Sequence, residues 1–189
     1  MSEIACRNSN KALVQPVIPA GAETQVNGIF AQMEAKMGKA PVALKLFSLS
    51  PELLAQTVGQ FGYYMQHPRL SMQLLAMIRL LVAQQENCSY CVNMNEKILE
   101  RAGFEQAVIA KMQEFPESAP LEEREKAMLL LVLKAVSIPH TVMAEDFEHL
   151  RSLDWTDRDI LEAINHGAAA LALDRVLDAF NVKDEQAFA

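Results

Sequence analysis

From about residue 23 onward the chain lacks the alternation of β-branched and polar residues that marks strands, and its 189 residues include only seven glycines. It carries instead apolar runs of helical length, "LLAMIRLLVA" and "AMLLLVLKAVSI", interrupted by Arg79 and Lys134. Runs so short and so interrupted make buried helices rather than membrane spans. The sequence therefore predicts an all-α fold, with helices near 23–37, 41–49, 51–65, 69–86, 88–101, 104–113, 121–137, 143–153 and 156–181. Ser50 in "SPELL" and Thr156 in "DWTDRDI" read as N-caps followed by acids, which satisfy free amides and favour the helix dipole. Hydrophobic residues make up 51% of the chain, enough for a sizeable core in a single domain. Two prolines in "QPVIPAG" mark residues 1–22 as an extended arm ahead of a helical domain over 23–189.

A weak internal repeat runs through that domain. "LLAMIRLLVAQQ" leads through a loop and a helix to "ERAGFEQAVI"; further on, "AMLLLVLKAVSI" leads through the same order to "LRSLDWTDRDI". Each half is expected to form an antiparallel helical hairpin, a turn and a third helix, and only the first half carries cysteines.

Seventeen basic against twenty-four acidic residues give a net charge of −7, with the acids scattered along helices. That pattern speaks against nucleic acid or an anionic membrane as partner. The N-terminal "MSEIACRNSNKALVQP" has no apolar core of the kind a secretory signal needs, so a cytoplasmic protein is expected. In that reducing compartment three cysteines do not read as a structural framework.

Two of them, Cys88 and Cys91, stand three apart in "QQENCSYCVNMNEKILERAGF". Asn87 reads as an N-cap, which would put Cys88 in the first helical turn, where free amides and the dipole stabilise a thiolate. Cys91 then lies about 60° around the helix and one turn on, so the two sulfurs can meet. Such a pair suits thiol chemistry on a peroxide or a partner disulfide, one sulfur attacking and the other resolving. Two other readings stand on the motif alone. It is half of a zinc site, but no second pair completes four ligands, and no metal is expected. Or the cysteines are small apolar fillers of the core.

The residues around the pair resemble a known family, the alkylhydroperoxidase D-like (AhpD-like) branch of the carboxymuconolactone decarboxylase superfamily. The resemblance spans roughly residues 30–182 through "MGKAP", "SLSPELL", "LLAMIRLLVAQQ", "NCSYCVNMNEKIL", "RAGFEQAVI" and "LALDRVLDAFNV". It implies a single-domain helical bundle, a homo-oligomer and, in members with the thiol pair, peroxidase or disulfide reductase activity in antioxidant defence. It also implies that Cys91 attacks peroxide while Cys88 resolves and meets the reductant. Cys6, in the arm, stays outside this chemistry.

The departures from the family are as informative. Its fully equipped members have a glutamate twelve residues before the first cysteine, a histidine just before the second and another four after it. Those positions here hold Ala76, Tyr90 and Asn95. The usual proton relay is therefore missing, and the sequence offers four substitutes. Asn95, one turn beyond Cys91, can hydrogen-bond a sulfur or water but accepts no proton at neutral pH. Tyr90 has a phenolic proton, and Glu86 precedes Cys88 by two residues. His166 sits in a long, otherwise apolar helix expected to pack near the cysteines, as a core histidine or as a base. His67 and His140 fall in expected loops, and His149 on an exposed face.

The leading reading is a thiol-dependent peroxidase or disulfide oxidoreductase with a hydroperoxide substrate and a protein or small-molecule dithiol as reductant, without cofactor. The alternative is a redox-responsive or structural oligomer that keeps the fold without efficient turnover. Decarboxylation of a muconolactone is disfavoured by the thiol pair and the absent histidines.

Overall fold

The computed structural model describes residues 11–188, so Cys6 lies outside the described residues. Among these the regular structure is helical: α1 (Glu23–Met37), α2 (Ala43–Phe47), α3 (Pro51–Met65), α4 (Met72–Gln85), α5 (Ser89–Arg101), α6 (Gln106–Glu114), α7 (Glu123–Ser137), α8 (Ala144–Ser152) and α9 (Asp157–Ala179). Short 3-10 turns occupy Pro116–Ser118 and Pro139–Thr141. Each expected helix is present, with ends shifted by no more than three residues. No helix among the described residues is long and apolar enough to cross a membrane.

The described residues gather into two compact units, one comprising Tyr64–Val176 and the other drawn from residues 11–63 and 177–188. In the second unit Val26, Met33, Leu44 and Leu54 form a small core between α1, α2 and α3, with Phe30, Phe47 and Phe61 packed on it. Residues 11–13 of the expected arm are tied down there. Ala12 N donates to Ala187 O and Leu13 N to Phe180 O, each at 2.9 Å, and Asn181 Nδ2 donates to Lys11 O at 2.7 Å.

The Tyr64–Val176 unit carries the repeat as α4–α5–α6 followed by α7–α8–α9. The two "third helix" turns have the same construction. After α5, Gly103 adopts φ 95°, with Phe104 N bonded to Leu99 O and Gly103 N to Glu100 O. After α8, Asp154 adopts φ 65°, with Trp155 N bonded to Leu150 O and Asp154 N to Arg151 O. Both are Schellman turns, which close the last carbonyls of one helix and redirect the chain. The next helix start is secured at Thr156, as expected. Thr156 Oγ1 accepts from Asp159 N at 3.1 Å, and the Asp159 carboxylate accepts from Thr156 N at 2.9 Å, a reciprocal capping box.

Helix α4 is buried around most of its circumference, from Leu74 through Met77 and Ile78 to Ala83. It packs chiefly between α5 and α7, whose Leu99, Met128, Leu129 and Val132 are fully buried. Burying each such side chain stabilises the unit by ~1.5–3 kcal/mol before the ordering entropy is counted. Gly167 of α9 lets that helix come close: a Cβ built there would lie 2.6 Å from Val132 Cγ1 and 3.0 Å from Val136 Cγ2. Gly167 therefore serves close packing of α9 on α7.

Candidate active site

The thiol pair lies where α4 turns into α5. Asn87 has φ 57°, a left-handed conformation that asparagine tolerates better than most side chains. Cys88 N reaches back to Ala83 O at 2.9 Å and Asn87 N to Gln84 O at 3.1 Å, so α4 also ends in a Schellman turn. This corrects the cap assignment: Asn87 closes the preceding helix, and Cys88 itself is the N-cap of α5, with φ −77° and ψ 90°. Its sulfur faces the main-chain amide of Cys91, a contact short of a regular cap hydrogen bond.

Both cysteines are free and buried. A third group completes the cluster, Asp174 of α9, which is only 3% exposed. The two sulfurs and a carboxylate oxygen of Asp174 all lie within 4.8 Å of one another. Asp174 Oδ2 is buried without a hydrogen-bond partner.

Proton sharing follows from this geometry. The Cys91 thiol donates toward the Cys88 sulfur, lowering the Cys88 pKa against the opposing effects of burial and the Asp174 charge. The same bond, followed by burial and the Asp174 charge, raises Cys91. Cys88 is thus the better resting thiolate and Cys91 the proton donor. Burial pushes the Asp174 carboxyl up to about 6, against the downward pull of the two adjacent cysteine side chains; Glu86 adds to the rise.

Behind Cys91 lies a second set of polar groups. The buried Asn95 donates from Nδ2 to the Cys91 carbonyl at 2.8 Å and accepts at Oδ1 from Arg79 Nε at 2.9 Å. Both ends of its amide are thereby engaged as a structural tie rather than aimed at a sulfur. Arg79 Nη1 lies 3.2 Å from His166 Nε2, which is also 3.2 Å from the Leu75 carbonyl. The neutral ring serves one at a time, accepting from Arg79 in one tautomer and donating to Leu75 in the other. Tyr64 packs edge-on against His166 with ring centroids 4.4 Å apart. Burial, reinforced by the Arg79 charge, depresses His166 to about 3, so at neutral pH it is uncharged. Burial lowers Arg79 to about 10, while Cys91 favours its charged form; at neutral pH it remains a cation.

The residues singled out from the sequence thus fall into separate places. Cys88 and Cys91 come together with Asp174. Asn95 and His166 meet through Arg79. Tyr90 is buried, and Glu86 pairs with Arg175 at 2.8 Å at the outer edge. Asp174 and Arg79 were not singled out. The signal for Asp174 is its register: Ala163, His166 and Ala170 are buried at helical spacing on α9, and Asp174 continues that stripe. An acid on a core stripe is the kind of buried polar group that calls for a partner.

Two soft sulfurs and one carboxylate give three donors, one fewer than the four of a closed zinc site. A second cluster, His67, Asp159 and Glu162, is engaged in structure. His67 Nδ1 accepts from Leu70 N at 2.9 Å, and its Nε2 lies 2.6 Å from Glu162. Asp159 holds Thr156 and Arg69, and Glu162 also holds Arg158.

No protein-family model and no curated protein sequence matches the chain. Solved structures do. An uncharacterized peroxidase-related protein from Silicibacter sp. TM1040 aligns with TM-score 0.80 and 23% identity over 98% of both chains. An uncharacterized peroxidase-related protein with an alkylhydroperoxidase AhpD core, from Ralstonia eutropha JMP134, aligns with TM-score 0.71 and 22% identity over 87% of this chain and 88% of that one. The debrominase Bmp8 aligns with TM-score 0.74 and 22% identity over 95% of each chain. At these identities the likeness establishes an AhpD-like all-helical fold.

Proposed function

We propose that this protein is a thiol-dependent reductase that cycles Cys88 and Cys91 between dithiol and disulfide, with a hydroperoxide as electrophile and a dithiol as reductant. The observation that carries this reading is the buried cluster of two free sulfurs and a carboxylate within 4.8 Å. One thiolate attacks the peroxide, an S–O bond forms as the O–O bond breaks, and the alcohol leaves. The second sulfur displaces the sulfenic oxygen as water, leaving a disulfide that the dithiol reduces. Arg79, held by neutral partners near Cys91, offers a positive charge to the anions formed on that sulfur. The AhpD core of a structural neighbour supports an antioxidant role, and a reducing cytoplasm would maintain the thiols between cycles.

Brief peroxide treatment followed by intact-mass measurement tests this. Loss of two hydrogens without oxygen gain is expected; oxygen addition without that loss would sink the cycle. Sustained peroxide consumption with dithiothreitol or dihydrolipoamide separates an enzyme from an oligomer that is merely oxidisable. A second reading rests on the debrominase, solved also with 2,3,4-tribromopyrrole bound. The same two electrons could replace a carbon–bromine bond by carbon–hydrogen, and bromide release from that compound would favour this reading.

We also propose a homo-oligomer. Leu161 is 68% exposed and Met143 58%, and Ile138, Leu130 and Val176 add further exposed apolar surface, which a second copy would cover. Light scattering of the reduced protein should give at least two chains, and a clean 21.0 kDa mass would remove the claim.

A further inference from the structure

We propose that Asp174 is the proton carrier of the thiol cycle, taking the proton from each cysteine as it becomes a nucleophile and returning it to each departing oxygen. This rests on the dithiol reading above and adds a group to it. One carboxylate oxygen of Asp174 lies within 4.8 Å of both sulfurs, so the same acid serves both halves of the reaction. Oδ2 of that carboxyl is buried and has no hydrogen-bond partner. An ionised carboxylate kept out of water with one oxygen unsatisfied is poorly stabilised, so a proton from a neighbouring thiol finds a ready acceptor. A purely structural aspartate at this depth would be expected to hold an arginine or a row of amides. Arg175, its neighbour in sequence, turns instead to Glu86.

Protons balance over two uses of the same group. Asp174 first removes the proton of the attacking thiol. The thiolate takes the distal oxygen of the hydroperoxide, and the departing alkoxide recovers the proton from Asp174 as alcohol. Asp174 then removes the proton of the second thiol, whose sulfur displaces hydroxide from the sulfenic acid. The hydroxide collects that proton and leaves as water. Two thiols and one hydroperoxide become one disulfide, one alcohol and one water, and Asp174 ends as it began.

The groups facing the carboxyl are Cys88 and Cys91 at the start of α5 and Glu86 at the end of α4; Arg79 of α4 faces Cys91. The carboxyl poised at about 6 is close to ambient pH, where an acid–base catalyst is most effective. Because the three groups titrate together, a pH limb belongs to the cluster, and only variants assign it.

The test follows thiolate formation against pH, by ultraviolet absorbance and by iodoacetamide rate, in wild type, Asp174→Asn and Asp174→Glu. The wild type should show a limb near pH 6 that disappears in Asp174→Asn and persists in Asp174→Glu. Peroxide turnover at pH 7 should fall ~10²–10⁴-fold in Asp174→Asn, chiefly in kcat, and recover in part with Asp174→Glu. Carbon-13 NMR of aspartate-labelled wild type gives an independent readout without a substitution: the carboxyl titration should move when the thiols are oxidised to the disulfide. Identical thiolate titrations in wild type and Asp174→Asn, or a carboxyl indifferent to oxidation, would overturn the proposal. A wild type that ionises as described yet consumes no peroxide would overturn the peroxidase reading and leave Asp174 as the proton acceptor of the thiols.

Discussion

Serine at either Cys88 or Cys91 should lower dithiol-dependent peroxide turnover ~10²-fold or more, because an external thiol must then replace a neighbour held within 4.8 Å. The two losses should differ in kind. Both sulfurs are needed to release water and close the disulfide, yet only the sulfur that attacks is needed to consume the first peroxide. With Cys88 as the better thiolate, Cys91→Ser should accumulate a Cys88 sulfenate that overoxidises for want of a resolving thiol. Pulse alkylation of the reduced wild type should label Cys88 before Cys91. This is the reverse of the order that the family resemblance implies. Label appearing first on Cys91 would restore that order and would mean that the Arg79 charge beside Cys91 outweighs the hydrogen bond that favours the Cys88 thiolate. Full turnover in either serine variant would exclude a two-cysteine cycle.

The helices were legible because their information is local. Apolar residues at helical spacing, with Thr156 and Asp159 at one start, define elements without reference to the rest of the chain. The turns were legible as positions but not as geometry. Asparagine suits an N-cap and a left-handed turn equally, and what decided Asn87 was the end of α4: Ala83 and Gln84 needed partners for their carbonyls, and the amides of Cys88 and Asn87 supplied them. The thiol pair was legible because both members sit on one short segment. Asp174 was not, because it joins them from another helix far along the chain: its register on the buried stripe of α9 marks it as a buried acid but does not say that the thiols are its neighbours. Asn95 illustrates the converse. Its place one turn from Cys91 was read correctly, but its amide is committed to the Cys91 carbonyl and Arg79, a commitment visible only once α4 and α5 are packed together.

Asp174→Asn should make the protein more stable at neutral pH even as it slows the reaction, and the sign distinguishes a working carboxylate from a structural one. A carboxyl whose folded pKa is raised, here from 3.8 to about 6, contributes stability that is fully present below the unfolded value and is lost as pH rises through the folded one. That difference is worth ~3 kcal/mol at pH 7 and above. Asparagine keeps the shape and a hydrogen-bonding oxygen for the thiols but never carries the buried charge. The melting temperature of Asp174→Asn should therefore match that of the wild type below about pH 4 and exceed it by several degrees at pH 7, with the gap opening between about pH 4 and 6 and nearly complete above that. A variant that melts lower at every pH would mean that the carboxylate is held by favourable partners. Its burial would then be ordinary structure, and the strain that makes it ready to accept a proton would not exist.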